Sequence, residues 1–278
     1  MTITETGVIR DPMTPLSYIV IAVCLSVVAF VAAMMGIGGG ILYTPIQVLF
    51  GVDVHEAATT SLTLIMILSV GATFIYRRAS MVDFKIAFVF EVFSVMGGFL
   101  GGYLSSYVSG DAIIGILIGV LVVASAGMFL KGRGPLGCVA ETLPWYVWKR
   151  ATGSSEYRIN MFIAIPLCLL AGTISGMIGV GGGFIKVPMM VLLFAIPADI
   201  AIATSGFMVG LTAIGGFAGH LAGGHWNPAM TLILAPGVLA GAMLGAKAML
   251  KIEKEKLRRI FSVLMLLLAV WLAYRFFG

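Results

Sequence analysis

The segment Gly36-Ile37-Gly38-Gly39-Gly40 interrupts an apolar run that otherwise extends from Leu16 to Phe50, and the same interruption recurs as Gly179-Val180-Gly181-Gly182-Gly183. Glycines release the backbone from helical φ/ψ, and inside a bilayer such unwound backbone persists only where protein buries it or a cavity borders it. The bilayer follows from composition. Of 278 residues 60% are apolar and only 10% charged, with a mean hydropathy of +1.09, whereas soluble domains carry roughly a quarter charged residues. The chain therefore reads as a multi-pass membrane protein whose partners are the lipid bilayer and whatever binds at the two breaks.

The apolar runs fall at Leu16 to Met35, Ile41 to Phe50, Val54 to Tyr76, Phe84 to Tyr107 and Ala112 to Leu130, then at Ile159 to Ile178, Phe184 to Ile196, Ile200 to Leu221, Pro228 to Leu250 and Leu257 to Phe277. A full span needs about 20 residues, so eight runs are long enough and the two that follow the glycines are too short to cross untilted. The two sets read as copies. The glycine clusters and Pro45 with Pro188 align at a spacing of 143; Thr60-Ser61 with Thr204-Ser205, Gly71 with Gly215, Asp83 with Asn227, Gly97 with Gly241 and Gly101 with Gly245 align at 144. So many polar, glycine and proline matches in one register point to an internal duplication.

Charge orients the copies. Thirteen of the 17 basic residues lie in three segments, Arg77 to Lys85, Lys131 to Arg158 and Lys251 to Arg259, which the positive-inside rule assigns to the cytoplasm. The loops Ser105 to Asp111 and Gly219 to Asn227 contain neither Lys nor Arg and face out. Equivalent loops of the two copies thus carry opposite charge, so the expected fold is an all-α integral membrane protein of two inverted repeats. Each repeat has about five helical segments, giving eight long spans and two short broken or re-entrant helices, with both termini outside. The first repeat is residues 1–130, the cytoplasmic connector 131–158 and the second repeat 159–278. The connector, rich in Gly and Pro, reads as a loop, and its Trp145, Tyr146, Trp148, Lys149 and Arg150 as an interfacial anchor. Topology thereby accounts for the basic excess, and nucleic acid is not an expected partner. Met1 to Thr14 lacks the pattern of a cleaved signal, so the first run is expected to be retained.

Each glycine break precedes a short helical run beginning at Ile41 or Phe184. Backbone N–H groups at a helix N-terminus lack intrahelical partners and carry a partial positive charge, which suits an anion. The candidate binding groups are therefore Gly38, Gly39, Gly40, Gly181, Gly182 and Gly183. Packing alone does not require three consecutive glycines before a turn, twice. Gly97, Gly98, Gly101, Gly102, Gly241 and Gly245 are spaced for helix contact instead. Thr60, Ser61, Thr204 and Ser205 can bond a bound oxyanion or back-bond to carbonyls one turn earlier. Lys186 lies well inside an apolar run, three positions past the second cluster, with Tyr43 as its counterpart. It can attract an anion, pair with Glu91 or snorkel to a boundary. Glu91 is a candidate for a coupling proton or a structural partner of Lys186, and Gln47 can supply an amide donor. Asp53, His55, Glu56, His220 and His225 read as solvated at the outer boundary. Cys24, Cys138 and Cys168 are isolated and suggest neither disulfides nor a metal site, and no cofactor is expected.

A membrane enzyme would need other residues. His-Glu-x-x-His is absent, and Ala203-Thr204-Ser205-Gly206 fails the first position of Gly-x-Ser-Gly. The glycine clusters with Pro45 and Pro188, the Thr-Ser pairs, Asp83 after a basic turn and the Gly97 to Gly102 cluster together resemble the sulfite exporter TauE/SafE family of membrane permeases, over nearly the whole chain. The resemblance implies secondary transport, with export the commonest assignment, of sulfite, sulfonates or similar small anions across the bacterial inner membrane. An anion channel, or a permease for another small organic anion, is compatible with the same residues, as is a homo-oligomer.

Overall fold

The computed structural model describes residues 15–105, 110–129, 145–152, 155–178, 181–221 and 226–277. Cys138, Gly179, Val180, His225, the tips of both loops expected outside and the connector up to Pro144 lie outside these residues. Every apolar run becomes a helix: α1 (Pro15–Met35), α2 (Gly40–Leu49), α3 (Val54–Arg78), α4 (Phe84–Ser105), α5 (Gly110–Phe129), α6 (Met161–Ile178), α7 (Gly183–Phe194), α8 (Ala198–Leu221), α9 (Pro228–Met249) and α10 (Lys254–Phe277). Six of these, α1, α3, α4, α8, α9 and α10, are long and apolar enough to cross a membrane by length and composition. Within α5 and α6 the described apolar stretches are Ile118–Phe129 and Met161–Ser175. With 10 and 12 residues, α2 and α7 reach only about 15–18 Å against a hydrocarbon core of about 30 Å. Large apolar side chains are exposed at helical spacing, as with Phe88, Val92, Val95 and Phe99 on α4 or Val263, Leu267, Val270 and Tyr274 on α10. A soluble protein would bury such stripes; here they meet lipid.

The interior is built on α3 and α8, which run antiparallel. Leu62 meets Gly216, Ser69 meets Gly210, and Tyr76 meets Gly206, while the Ser69 hydroxyl donates to the Gly206 carbonyl at 2.8 Å. At its start α4 lies beside the start of α8: the Asp83 N–H donates to Thr204 Oγ1 at 3.1 Å, and the rings of Phe84 and Phe88 sit edge-on to Phe207. At the other end α9 lies beside α3, where Asn227 Nδ2 donates to Glu56 Oε1 at 2.7 Å. Glu56, expected to be solvated, is thus half-buried and paired.

Around this centre α4 packs on α6, α1 on α9 and α5 on α10. Of the glycines read as helix contacts, Gly97, Gly98, Gly101, Gly241 and Gly245 make them. A Cβ on Gly97 or Gly101 would lie 2.1 or 2.0 Å from the carbonyl oxygen of Leu169 or Thr173, and one on Gly241 or Gly245 would lie 2.2 or 2.1 Å from that of Ser26 or Phe30. No side chain fits there, and the helices approach backbone to backbone. Ser125 and Ser262 join α5 to α10 reciprocally, each hydroxyl donating to the other's carbonyl at 2.9 and 2.7 Å.

The connector departs from the expected loop. Residues β1 (Val147–Thr152) and β2 (Ser155–Asn160) form an antiparallel hairpin with Arg150 opposite Tyr157, so the protein is not purely helical. Trp145, Tyr146 and Phe162 form an edge-to-face cluster, with Trp145 almost fully exposed, which suits the headgroup anchor read from the sequence. The hairpin docks on Asp83. One carboxylate oxygen accepts from Arg150 Nη2 (2.9 Å) and the N–H groups of Lys85 (3.1 Å) and Ile86 (3.2 Å); the other accepts from Arg150 Nε (3.1 Å), Thr152 Oγ1 (3.0 Å) and Tyr157 Oη (2.8 Å). Asp83 thereby caps α4 and fastens the hairpin to it. Burial would raise the Asp83 carboxyl, but the hydrogen bonds from Arg150, Tyr157, the Ile86 N–H and Thr152 outweigh it and hold the group below the usual carboxylate range.

Two predictions follow from these contacts. Gly245→Val should cost about 1–3 kcal/mol by forcing α9 away from α1, whereas Gly115→Ala, where a Cβ meets nothing within 4 Å, should be neutral or stabilising by up to about 1 kcal/mol. Thermal denaturation in detergent measures both. Because the Asp83 pKa is depressed in the folded state, its stabilisation is complete above the unfolded value of about 3.9 and fades as pH falls through the folded value. Hydrogen exchange of residues 147–160, corrected for its intrinsic pH dependence, should stay slow from neutrality to about pH 5 and accelerate only below about pH 4, while Asp83→Asn should accelerate it at all pH values.

Candidate functional site

At the end of α1 the chain turns through Gly36, Gly38 and Gly39 at φ 68, 84 and 74, and the second break repeats the last two values at Gly181 and Gly182. Gly39 and Gly182 are the N-caps of α2 and α7, left-handed and without any side-chain cap. L-residues avoid this conformation by roughly 1–2 kcal/mol, so the turn itself selects glycine. Both short helices begin one residue earlier than the sequence suggested. The N-cap glycines supply no side-chain cap; the Leu42 and Ile185 N–H groups bond back to the Gly39 and Gly182 carbonyls at 3.0 and 3.1 Å, so it is the N–H groups ahead of them that suit a ligand.

The two turns touch. A Cβ on Gly183 would come within 2.4 Å of the Gly36 carbonyl oxygen, and the Gly36 carbonyl itself accepts from Ser205 Oγ at 2.8 Å. Val209, half-way along α8, stands against both Gly38 and Gly181. The two breaks therefore meet at the middle of the long central helix rather than at opposite membrane faces. The glycines also serve packing, since Val209 fills the space in front of Gly38.

Among the polar residues singled out, the structure brings some together and commits others elsewhere. Gln47 Nε2 donates to Ser61 Oγ (2.8 Å) and the Tyr43 carbonyl (3.0 Å), and Thr44 Oγ1 donates to Ser61 Oγ (3.0 Å). Thus the amide hydrogens expected for a ligand are engaged, and the amide oxygen is left. Among the described residues Gln47 Oε1, Tyr43 Oη and Thr60 Oγ1 are buried without a protein partner. Leaving a buried polar atom unmet costs about 1–3 kcal/mol, so each of these atoms calls for water or a ligand. Neither Thr204 nor Ser205 back-bonds within its own helix; Thr204 receives the Asp83 N–H and Ser205 holds Gly36.

Lys186 and Glu91 pair. The ammonium donates to Glu91 Oε2 at 2.7 Å and to Thr212 Oγ1 at 3.1 Å, and the Thr212 hydroxyl faces Glu91 Oε1 and the Met208 carbonyl (3.2 Å). Lys186 is 1% and Glu91 3% exposed. Of the readings open for Lys186, pairing with Glu91 is the one realised in this structure. Thr212 escaped the sequence reading; its signal is helical spacing, since Ser205, Val209 and Thr212 fall on one face of α8 toward the glycine turns. Removing one member leaves a buried charge alone, at a cost of about 3–5 kcal/mol, whereas removing both can be nearly neutral. In a double-mutant cycle by thermal or chemical unfolding, Glu91→Ala and Lys186→Ala should each destabilise strongly, and the double variant should be more stable than either.

A model of the sulfite exporter TauE/SafE family matches residues 20–272. The probable membrane transporter protein YunE of Bacillus subtilis is 27% identical over 93% of this chain and 98% of its own length. A probable membrane transporter protein of Methanocaldococcus jannaschii is 25% identical over 85% of this chain and 88% of its own, and one of Xylella fastidiosa strain Temecula1 is 27% identical over 95% and 97%. No solved structure matches the chain. The full-length match, the helices suited to a membrane and the relatives' shared description agree: the chain belongs to the sulfite exporter TauE/SafE family, a family of membrane transporters and not of enzymes.

Proposed function

We propose that this protein is a secondary transporter that exports small sulfur-containing anions, sulfite or organosulfonates, across the bacterial inner membrane by alternating access. The carrying observation is that two glycine turns of the same left-handed conformation meet half-way along α8 beside a buried cation. Each turn opens a short helix whose first N–H groups favour an oxyanion, and Lys186 supplies full charge. Tyr43 Oη, Gln47 Oε1 and Thr60 Oγ1 offer polar atoms that lack protein partners, the hydroxyls as donors. The Thr-Ser pairs join the site through Ser61 and Ser205, which brace Gln47 and Gly36. The amide donors Gly38, Gly39, Gly40, Gly181, Gly182 and Gly183 recognise charge and oxygen geometry, which sulfite and sulfonate share.

Alternating access requires two halves that exchange roles, and we assign them to inverted repeats, residues 1–130 and 159–278, each with four long spans and one short re-entrant helix. The directions of the packed helices support this. The antiparallel pair α3 and α8 stands at equivalent positions, α4 follows α8 while α9 follows α3, and the close contacts of Gly97 and Gly101 on α6 recur as those of Gly241 and Gly245 on α1. Broken helices paired across such repeats mark the substrate site of many transporters.

Thermal denaturation of the purified protein with a panel of anions tests the reading. Sulfite, methanesulfonate or sulfoacetate at about 100 times its dissociation constant should stabilise by about 2.7 kcal/mol, and choline should not. Gly182→Ala, strained at φ 74, should abolish the shift while Gly115→Ala keeps it. The assignment fails if none of the anions stabilises the protein or if Gly182→Ala responds fully.

A further inference from the structure

Among the described residues, Lys186 with Glu91 is the ion pair that has both side chains buried. It is also tied to the proposed anion site by geometry. Lys186 lies in the first turn of α7, and its Cε is 3.5 Å from where a Cβ on Gly182 would stand. The stem of the side chain therefore runs along the glycine turn, and the ammonium reaches Glu91 from there. Rotation within the side chain suffices to present the ammonium to an anion seated on the turn.

Charge counting then restricts what can be bound. With Glu91 ionised the site is neutral when empty, and adding a monovalent anion leaves one net negative charge deep in a low-dielectric region, which is strongly unfavourable. With Glu91 protonated, Lys186 and the anion neutralise each other. Among the described residues the elements packed against Glu91 offer no substitute: of their titratable groups, Lys186 of α7 and the Cys168 thiol of α6 are the two that face it, and α8 presents Thr212. On α4 itself the neighbouring Ser94 hydroxyl is neutral.

Resting on the transport reading above, we propose that Glu91 takes up one proton for each monovalent anion bound beside Lys186, so that anion and proton cross together, in the same direction, as an electroneutral pair, and export is driven by the outward gradient of the anion itself. Loading proceeds as follows: a proton binds a Glu91 carboxylate oxygen, the Lys186 ammonium loses its ionic partner and pairs with the anion, and release reverses both. Thr212 keeps every polar group satisfied in the two states. Its single hydroxyl proton points to Glu91 when the carboxylate is ionised and turns to the Met208 carbonyl when Glu91 itself becomes a donor.

Methanesulfonate, ionised throughout the usable pH range, is the probe, because its own titration contributes no protons. In proteoliposomes with an internal pH dye, a methanesulfonate gradient should drive protons in the same direction at one per anion. On the unaltered protein, the affinity read by thermal shift should fall about tenfold per pH unit once Glu91 ionises in the free state, the signature of one linked proton. Glu91→Gln should abolish the anion-driven proton flux and flatten this pH profile, while labelled methanesulfonate still exchanges in counterflow. Uptake by the unaltered protein without protons, or with protons moving oppositely, overturns the proposal and leaves the transport reading standing. So does a pH-independent affinity, or a Glu91→Gln variant that still couples. Absence of any methanesulfonate binding or counterflow by the unaltered protein overturns the proposal, and absence of stabilisation by every anion of the panel overturns both.

Discussion

The structure depends on the close approach of unwound backbone to α8. Inside a bilayer every N–H and C=O must find a partner within the protein, and a turn made of glycines exposes several at once. The Gly36 carbonyl is met by Ser205 and the Ile37 N–H by the Ala32 carbonyl at 3.1 Å, while a side chain at Gly36 would collide with the Ile202 carbonyl at 2.4 Å. Small residues and one hydroxyl together make the break tolerable. They also fix where α2 begins. Through the contact of Gly183 with Gly36, the start of α7 is fixed in the same place, so the depth of both helix N-termini is a packing consequence of residues 202–209.

The long-range features were legible to the extent that they rest on local pattern. Hydrophobic length gave all ten helices, and the i, i+4 spacing of Gly97, Gly101, Gly241 and Gly245 gave backbone contacts that the structure makes. The hairpin was not legible, because Val147 to Thr152 and Ser155 to Asn160 are short, mix aromatic with charged residues and follow a stretch rich in Gly and Pro. What stabilises it is Asp83, more than sixty residues away, and no local signal announces a partner at that distance. Glu56 misled for the same reason, since it looked solvated until Asn227 arrived from the other half of the chain. Lys186 and Glu91 are an intermediate case: each alone signalled a buried charge in need of a partner, and the pairing, weighed as one alternative, needed only the fold to bring α4 and α7 together.

The two halves agree in backbone and disagree in chemistry. Asp83 and Asn227, at matching positions, both stand at the start of a helix and accept its N–H groups, yet only the carboxylate also binds an arginine. Tyr43 stands where the second half has Lys186, and its hydroxyl is unpartnered where the lysine is doubly bonded. Even the lipid-facing surface differs: α5, α6 and α7 border a groove of about 500 Å³, while α1, α2 and α10 leave about 20 Å³. Side-chain size contributes to this, because Val120 and Ala124 of the groove are replaced 144 positions on by Leu264 and Leu268, which line the smaller space.

This division has a physical reason. The alternating access proposed above needs matching contacts on both halves, and the contacts made by Gly97, Gly101, Gly241 and Gly245 with facing carbonyls leave no room for a side chain. In the proposed function, one anion at the meeting point needs only one cation. The Tyr43 hydroxyl has no partner among the described residues, so a lysine there would be a buried charge with no carboxylate bonded to it, where an unpaired charge is poorly tolerated. A phenol in that place keeps the volume and a hydrogen-bonding group without the charge. On the proposed reading, the asymmetry between Tyr43 and Lys186 follows from a single neutral site shared by two similar frameworks, because the charge balance of Glu91, Lys186 and one anion allows one cation there rather than two.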